Sequence, residues 1–491
     1  MVKNLVLIAF MLLVTIRPLG ACSFETKFQW VKTTFEQNDA SFQVILDRKG
    51  RVAYDLHNQM IEQRIKSAQD LNECVNILKD WLKFFNNNHT GIRAVALKDC
   101  AFCDHDHSAE TTKAVEPEYW SGDIAQFQEY LTNKTEVDYE GFWTIDSNYK
   151  IGIIKEGNTY IGFIIESKFK EWQPNMVKLK IENNGVEIKS TYFMLDFSPK
   201  ISGEAKLYGN YVLRLGTTYL KRVFPEIQSE SEIDKYLKLL TTTVPYIEEL
   251  DGNTLYIRLP SFDIKHVSII DKLVKENFTK ITETENLIID LRDNPGGMPN
   301  AFFPFIPFFY TNQLSMTEGT KLRVTPMTLQ YYKSFGIMPK AVVFMYKIKN
   351  LFRGSQTRRQ IKEHGEFIDF DYKLKEPDEI LENPKNIGII INNGTGSAAE
   401  VFALYSKQSK KVKVFGVPSH GCLDYGVPIP VNSPCGQIKL IYTALISPYA
   451  IEYPLDNIGV QPDFPIDSSI PDYKWVDHVN DIMQNWVIPH N

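Results

Sequence analysis

The sequence has little net charge, few cysteines and only one long apolar run. Among 491 residues, 54 Lys and Arg face 60 Asp and Glu, a net charge of −6. Such a balance gives no support to nucleic acid as the main partner, which would require a basic surface. Beyond residue 22 no stretch reaches the roughly 18 apolar residues of a membrane-spanning helix. We also find no internal repeat and no low-complexity tract. Hydrophobic residues at 43% and charged residues at 23% exclude disorder of the whole chain.

The single apolar run lies at the N-terminus and predicts export. Lys3 precedes the 12-residue apolar run Leu5–Ile16, Arg17-Pro18 breaks this run, and residues 19–21 (LGA) end in small residues. A run this short is typical of a signal peptide, which we place at residues 1–21. Cleavage there would leave Cys22 first, and the preceding Leu-Gly-Ala resembles a bacterial lipoprotein signal in which that cysteine is lipidated. Simple cleavage is the other interpretation. We therefore expect a periplasmic, envelope-anchored or secreted protein, with membrane attachment through Cys22 in the lipidated case.

The six cysteines do not define a framework, because six allow 15 full connectivities. The segment Cys100–His107 (CAFCDHDH) combines two Cys with two His. Its tight spacing is not a usual zinc-finger pattern, and an exported protein more often uses such cysteines in a disulfide. A disulfide, a solvated loop and a metal site stay open for this segment, and we predict no metal at the functional site.

Hydrophobic periodicity divides the mature chain into three regions. Apolar residues recur every three or four positions over residues 67–85, which predicts an amphipathic helix within an N-terminal helical region at 22–107. Residues 108–225 are rich in β-branched and aromatic runs with turn signals, which indicates an antiparallel β module. A small barrel is one arrangement of such strands, and the module lacks the glycine-rich carboxylate-binding pattern of a PDZ domain.

The third region, residues 226–491, alternates strands and helices. Asn286–Leu291 and Asn386–Ile391 are short apolar strands bounded by turn signals. Continuous apolar strands between helices favour an α/β core with a mainly parallel sheet. Residues 312–385, between these two strands, are expected to form helical insertions.

Two motifs directly after these strands are candidates for chemistry. The first is Asp290–Gly297 (DLRDNPGG), whose paired glycines leave backbone N–H groups free to stabilise an oxyanion. A tight turn is its plain structural interpretation. The second is Asn392–Glu400 (NNGTGSAAE), in which Ser397 stands where a glycine-rich turn opens a helix. An N-terminal cap is the plain interpretation of that serine, and a nucleophile at a strand–turn–helix corner is the functional one.

Together these motifs resemble the C-terminal processing (tail-specific) serine peptidase family. The later segments 416–421 (GVPSHG) and 457–463 (NIGVQPD) resemble further motifs of that family in order and spacing. The resemblance covers residues 245–470 and implies a crotonase/ClpP-like α/β core. By motif position, Ser397 would be the nucleophile. The N–H groups of Ala398 and of Gly296 or Gly297 would form the oxyanion hole.

One position departs from the tail-specific pattern. Cys422 stands where that branch has a lysine general base, so a Ser–Lys dyad is not available. The chain is similar instead to the branch of tricorn protease and the interphotoreceptor retinoid-binding protein, which uses a histidine from the N-terminal region. His89 matches that histidine, and Asp456 matches the carboxylate before the final motif. We therefore predict His89 as general base and Asp456 as orienting acid, with His420 as a rival base.

The resemblance implies a serine peptidase that acts on peptide or protein substrates without a cofactor, and the N-terminal segment predicts that it is exported. The alternative is a non-catalytic binding protein for apolar ligands or peptides on the same fold. A hydrogen bond between His89 and Ser397 would favour the enzyme, because a serine needs an adjacent base to be nucleophilic at neutral pH. The sequence does not determine the oligomeric state.

Overall fold

A computed structural model of the chain describes most of the sequence beyond residue 22. It covers residues 23–95, 117–145, 147–183, 188–216, 218–312, 314, 319–335, 365–370 and 376–485. The predicted signal peptide, Cys22 and the Cys100–His107 segment lie outside the described residues. The chain divides into two compact units, one drawn from residues 1–104 and 261–465 and the other from 105–260 and 466–491. The four-part division predicted from the sequence stays a prediction.

The secondary structure mixes helices with strands throughout. The α-helices are α1 (Phe24–Asn38), α2 (Phe42–Lys49), α3 (Arg51–Ser67), α4 (Leu71–Leu82), α5 (Ile124–Asn133), α6 (Ser231–Thr241), α7 (Ile264–Glu276), α8 (Phe278–Glu283), α9 (Ile306–Phe309), α10 (Pro326–Phe335), α11 (Ala398–Ser406), α12 (Tyr449–Glu452) and α13 (Trp475–Gln484). Short 3-10 turns occupy Lys83–Phe85, Pro299–Ala301, Phe303–Phe305 and Asp472–Lys474. The predicted α/β class is confirmed.

The strands belong to antiparallel and parallel sheets. They are β1 (Gly91–Ala94), β2 (Gly141–Ile145), β3 (Tyr149–Glu156), β4 (Thr159–Ser167), β5 (Val177–Asn183), β6 (Ile188–Phe193), β7 (Pro199–Ser202), β8 (Lys206–Tyr208), β9 (Val212–Leu215), β10 (Thr218–Phe224), β11 (Tyr246–Asp251), β12 (Thr254–Arg258), β13 (Asn286–Asp290), β14 (Lys321–Val324), β15 (Glu366–Asp369), β16 (Asn386–Ile391), β17 (Val412–Gly416), β18 (Tyr425–Asn432), β19 (Ile438–Ile446) and β20 (Phe464–Pro465). Among the described residues, no helix has the length and apolar character needed to cross a membrane.

In the first unit, helices α1–α4 pack on an antiparallel sheet around one hydrophobic core. Strand β19 pairs with β1, β14 and β18, and its buried residues share the core with those of α1 and α4. The Asp70 side chain starts α4 by accepting the Glu73 N–H, as the side chain of an N-cap residue does. The sequence predicts helical insertions over residues 312–385. Their described part instead contributes two strands, β14 and β15, beside the helix α10.

A parallel sheet with the order β13–β16–β17–β20 completes the first unit. Every residue of β13 and β16 is buried, which explains why both strands are almost entirely apolar. Because parallel neighbours end at the same edge of a sheet, the turns after β13 and β16 lie side by side. This edge holds both glycine-rich motifs.

The second unit contains a nine-stranded antiparallel sheet. Its order is linear, β7–β6–β5–β4–β3–β2–β10–β9–β8. The register pairs Asn183 with Ile188 across the antiparallel strands β5 and β6. The unit also contains the antiparallel pair β11–β12 and the helices α5, α6 and α13.

Candidate active site

Ser397 lies at the corner between β16 and α11 in a strained backbone conformation. Its φ is 51° and its ψ is −120°. Residues other than glycine rarely have a positive φ, and such strain persists only where the surroundings enforce it. Thr395 supplies part of that enforcement, because its hydroxyl donates to the Leu291 carbonyl at 2.9 Å and ties the two turns together. The turn presents the Ser397 hydroxyl at the start of α11.

The His89 ring reaches this hydroxyl from the other end of the chain. After α4 and one 3-10 turn, Asn86 adopts a left-handed conformation with φ 51° and redirects the backbone. The Nε2 atom of His89 then lies 2.9 Å from Oγ of Ser397, although 308 residues separate them. In the neutral ring with its proton on Nδ1, Nε2 accepts a hydrogen bond from the serine hydroxyl.

The surroundings of His89 favour the neutral ring. Burial lowers its pKa from 6.5, while the negative charge of Glu400 and the Tyr425 carbonyl oppose this shift. The Nδ1 atom is buried and has no hydrogen-bond partner of good geometry among the described residues. A neutral imidazole at ordinary pH is the form that can take a proton from serine.

The carboxylate of Asp456 contacts the backbone beside His89 and not its ring. It accepts hydrogen bonds from the N–H groups of Leu423 at 2.8 Å and Asp424 at 2.9 Å. A longer contact of 3.4 Å joins it to the Asn88 N–H. Burial raises the pKa of Asp456 to about 6. Asp456 therefore connects residues 423–424 to the peptide that precedes His89.

Glu400 is a central residue of the site for which the sequence analysis predicted no role. Its side chain is 0% exposed. Oε2 accepts the N–H groups of Ser397 at 2.7 Å and Cys422 at 3.0 Å. Oε1 accepts the Ser419 hydroxyl at 2.5 Å and the Gly421 N–H at 2.6 Å. The signal was present, because a serine followed three residues later by glutamate is the capping-box spacing.

Neither Cys422, at the position of the family's lysine, nor His420, two residues before it, is placed as a base. The Cys422 thiol accepts the Ser397 N–H at 3.1 Å and donates to Glu400 at 3.3 Å. Burial and the Glu400 charge raise the pKa of this thiol far above its ordinary value. His420 is exposed. Within the described parts of the chain, the only ring hydrogen-bonded to the Ser397 hydroxyl is that of His89.

The turn after β13 lies directly against the serine. A Cβ atom added to Gly296, whose φ is +87°, would stand 2.7 Å from the Ala398 nitrogen and 2.8 Å from Ser397 Cβ. The Gly296 N–H donates to Asn294 Oδ1 at 2.9 Å. The N–H groups of Gly297 and Ala398 donate to no backbone acceptor among the described residues. Of the predicted oxyanion donors, these two are available for a ligand.

Part of the chain is similar in sequence to known proteins. Residues 253–466 match the family model described as Peptidase family S41. The carboxy-terminal-processing protease of Bartonella bacilliformis is 22% identical over 231 residues, which are 46% of this chain and 42% of that protein. The chain thus aligns with less than half of the length of this relative.

Solved structures are similar over most of the chain at low identity. Mature CPAF is 10% identical with a TM-score of 0.48, covering 94% of this chain and 96% of its own. A lipoprotein from Streptococcus agalactiae is 13% identical with a TM-score of 0.39, covering 95% and 97%. Tricorn protease is 10% identical with a TM-score of 0.37, covering 94% of this chain and 36% of its own.

The family match places residues 253–466 in the class of the peptidases. Within that class, this segment is a Peptidase family S41 domain. The resemblance to tail-specific peptidases predicted from the motifs is confirmed.

Proposed function

We propose that the protein is an exported serine peptidase that hydrolyses peptide bonds through an acyl-enzyme on Ser397. The observation that carries this proposal is the 2.9 Å contact between Ser397 Oγ and His89 Nε2. A serine with a neutral imidazole in hydrogen-bond contact is the minimum needed for nucleophilic attack at neutral pH. The strained backbone of Ser397 supports the same role, since such strain clusters at functional sites.

In the proposed reaction, Ser397 Oγ attacks the substrate carbonyl carbon while His89 Nε2 takes the hydroxyl proton. The carbonyl oxygen becomes an oxyanion, which the N–H groups of Gly297 and Ala398 and the N-terminal end of α11 stabilise. The C–N bond then breaks, and His89 gives its proton to the departing amine. Water attacks the resulting ester with His89 again as base, which releases the acid and restores the serine.

The two buried carboxylates have different parts in this proposal. Glu400 fixes the Ser397 N–H and residues 419–422, so it shapes the nucleophile turn. Asp456 holds the Asn88 N–H, so it acts as the predicted orienting acid through the backbone that precedes His89. The charge of Glu400 also favours the imidazolium that forms during attack.

The substrates are peptides or proteins, as the peptidase family implies. Export is proposed on the sequence of residues 1–21, and lipidation on Cys22. A non-catalytic carrier for apolar ligands or peptides is the alternative on the same fold. The His89–Ser397 contact favours the enzyme, because a carrier has no need of an activated serine.

The test is labelling of the purified protein with a fluorophosphonate probe, followed by mapping of the modified residue. We expect a label on Ser397 that is lost in Ser397→Ala and reduced at least about 100-fold in His89→Ala, the scale of general-base catalysis. Ser406→Ala is the matched control, because it removes a buried hydroxyl at the other end of α11, where it donates to the Ala403 carbonyl. A folded wild-type protein that takes no label at Ser397 would support the carrier.

A further inference from the structure

A chain of buried hydrogen bonds leads from Asp39 to the backbone of His89. Oδ2 of Asp39 accepts the Thr443 N–H at 2.7 Å and the Thr443 hydroxyl at 2.8 Å. Nδ2 of Asn87 donates to the Thr443 hydroxyl oxygen at 3.0 Å. Oδ1 of Asn87 accepts the His89 N–H at 3.1 Å. Asp39 and Thr443 are 0% exposed and Asn87 is 6% exposed, so water does not compete for these groups.

The carboxylate fixes the direction of every bond in this chain. Burial raises the pKa of Asp39, and hydrogen bonds from the side chains and backbone N–H groups of Ser41 and Thr443 oppose this shift. In its ionised form the carboxylate only accepts hydrogen bonds, so the Thr443 hydroxyl donates to it. The lone pairs of that hydroxyl then face Asn87 and select its NH₂ group. The amide oxygen of Asn87 is left to face the His89 N–H, which is a donor. A neutral apolar residue at position 39 would remove this constraint on both neighbours.

The chain of hydrogen bonds ends at the backbone that carries the His89 ring, next to the proposed catalytic pair. The N–H of His89 is held by Asn87, and the preceding N–H of Asn88 is held by Asp456. Two consecutive backbone groups are thereby fixed next to a ring whose Nδ1 atom has no hydrogen-bond partner of good geometry among the described residues. The Tyr425 carbonyl acts on the ring but makes no hydrogen bond of good geometry with Nδ1, so the backbone that carries the ring contributes strongly to its position.

We propose that Asp39 is a positioning residue for His89 and acts through Thr443 and Asn87. The inference rests on the proposed role of His89 as general base. The positioning of the His89 ring would then depend on a residue between α1 and α2 that touches neither the substrate nor the reacting atoms. Displacement of a catalytic group by about 1 Å can cost roughly 100-fold in rate.

Substitution of Thr443 tests the chain while conserving side-chain volume. Thr443→Val removes the hydroxyl, and Thr443→Ser keeps it. We expect the rate of fluorophosphonate labelling at Ser397 to fall at least about tenfold in Thr443→Val and to stay within about threefold of wild type in Thr443→Ser.

Thr325→Val is the matched control, since Thr325 is also a buried threonine and its hydroxyl donates to Asn38 at 2.7 Å. It should lower the melting temperature to a similar degree with labelling unchanged. Equal labelling losses in Thr443→Val and Thr325→Val would overturn the proposal, because the loss would then follow stability alone.

Asn87→Ala provides a second, independent variant and a readout that a purely structural role would not give. If Thr443 acts on His89 through Asn87, the double variant should label no more slowly than the slower single variant. If the loss of labelling rate in the double variant equals the product of the losses in the two single variants, the proposed hydrogen-bond chain is rejected. Labelling at the wild-type rate in Asn87→Ala would also reject it. If Thr443→Val does not fold, Asn87→Ala alone decides. Absence of labelling in the folded wild-type protein would instead reject the proposed function.

Discussion

The Ser397 N–H donates to the Glu400 carboxylate at 2.7 Å, so the residue that stabilises this turn is three positions beyond the proposed nucleophile. The same carboxylate holds the Gly421 N–H at 2.6 Å. Glu400 thus connects the start of α11 to the loop in which the tail-specific relatives carry their lysine.

Glu400→Gln should damage both stability and labelling. In the wild type, each carboxylate oxygen accepts hydrogen bonds, but in the variant the amide NH₂ group would face N–H donors and could not accept from them. Hydrogen bonds to charged groups contribute about 1.5–3 kcal/mol each. We expect a loss of at least about 3 kcal/mol in the free energy of unfolding, measured by denaturant titration. Glu73→Gln is the control, because Glu73 accepts the Gln69 N–H at 2.7 Å near the start of α4 but is exposed. Its expected cost is below about 1 kcal/mol, and equal costs would contradict the central role of Glu400.

Gly296→Ala should abolish labelling because the added Cβ would displace the nucleophile turn. Gly50→Ala is the matched control, since Gly50 also has φ +87° but nothing stands within 4 Å of an added Cβ. The control should lose about 1–2 kcal/mol of stability from backbone strain and keep its activity. We expect Gly296→Ala to lose roughly 100-fold or more in labelling rate, the scale of a missing oxyanion donor. A Gly296→Ala protein with unchanged labelling would show that the two turns do not meet in solution.

The pH profile of labelling should report the neutral form of His89. Burial lowers the pKa of this histidine from 6.5, so the base loses its proton at a lower pH than a free imidazole. The rate should therefore rise with pH to a plateau and have its midpoint below 6.5. A midpoint clearly above 6.5, measured at constant ionic strength, would contradict this assignment.

Asp456 should give the protein a second pH dependence, in stability. Its pKa is about 6 when folded against 3.8 as the ordinary value, so between these values the folded state binds more protons than the unfolded state. The contribution of Asp456 to stability therefore falls as pH rises from about 4 to 6, by up to about 3 kcal/mol at 1.4 kcal/mol per pKa unit. Asp456→Asn removes this titration. The difference in unfolding free energy between wild type and variant should change in that window, and a constant difference would contradict the shift.

Cys422 should be dispensable as a thiol. Burial raises its pKa, so it should resist iodoacetamide at neutral pH in the folded protein, while the partly exposed Cys435 reacts. A serine at position 422 could keep both the contact to the Ser397 N–H and the contact to Glu400. We expect Cys422→Ser to label within about threefold of wild type. Loss of labelling in that variant would give the thiol a direct role.

Local signals in the sequence predicted the parts of the site that local structure builds. The apolar strands β13 and β16 and the turns after them follow from buried runs bounded by glycine. Ser397 and Gly296 therefore appear at the expected corners. The capping-box spacing could also have revealed Glu400.

Contacts that depend on distant strands left no such signal. Asp39 and Thr443 are 404 residues apart, and only the packing of α1 against β19 brings them together. The prediction that His89 contacts Ser397 depended on a family resemblance and not on the periodicity of the sequence. The contact of Asp456 with Asn88, in place of the His89 ring, depends on the path of two loops. The strands β14 and β15 were missed because their partners lie far away in sequence.

The antiparallel pairing of β1 with β19 places Gly91 opposite Ile441. This pairing has a consequence for how the protein evolves. The recognisable family segment begins at residue 253, and the proposed base stands at residue 89. The part of the sequence that determines the proposed reaction is therefore longer than the segment by which the family is recognised. Changes in the first hundred residues can alter the reaction while the family segment stays the same.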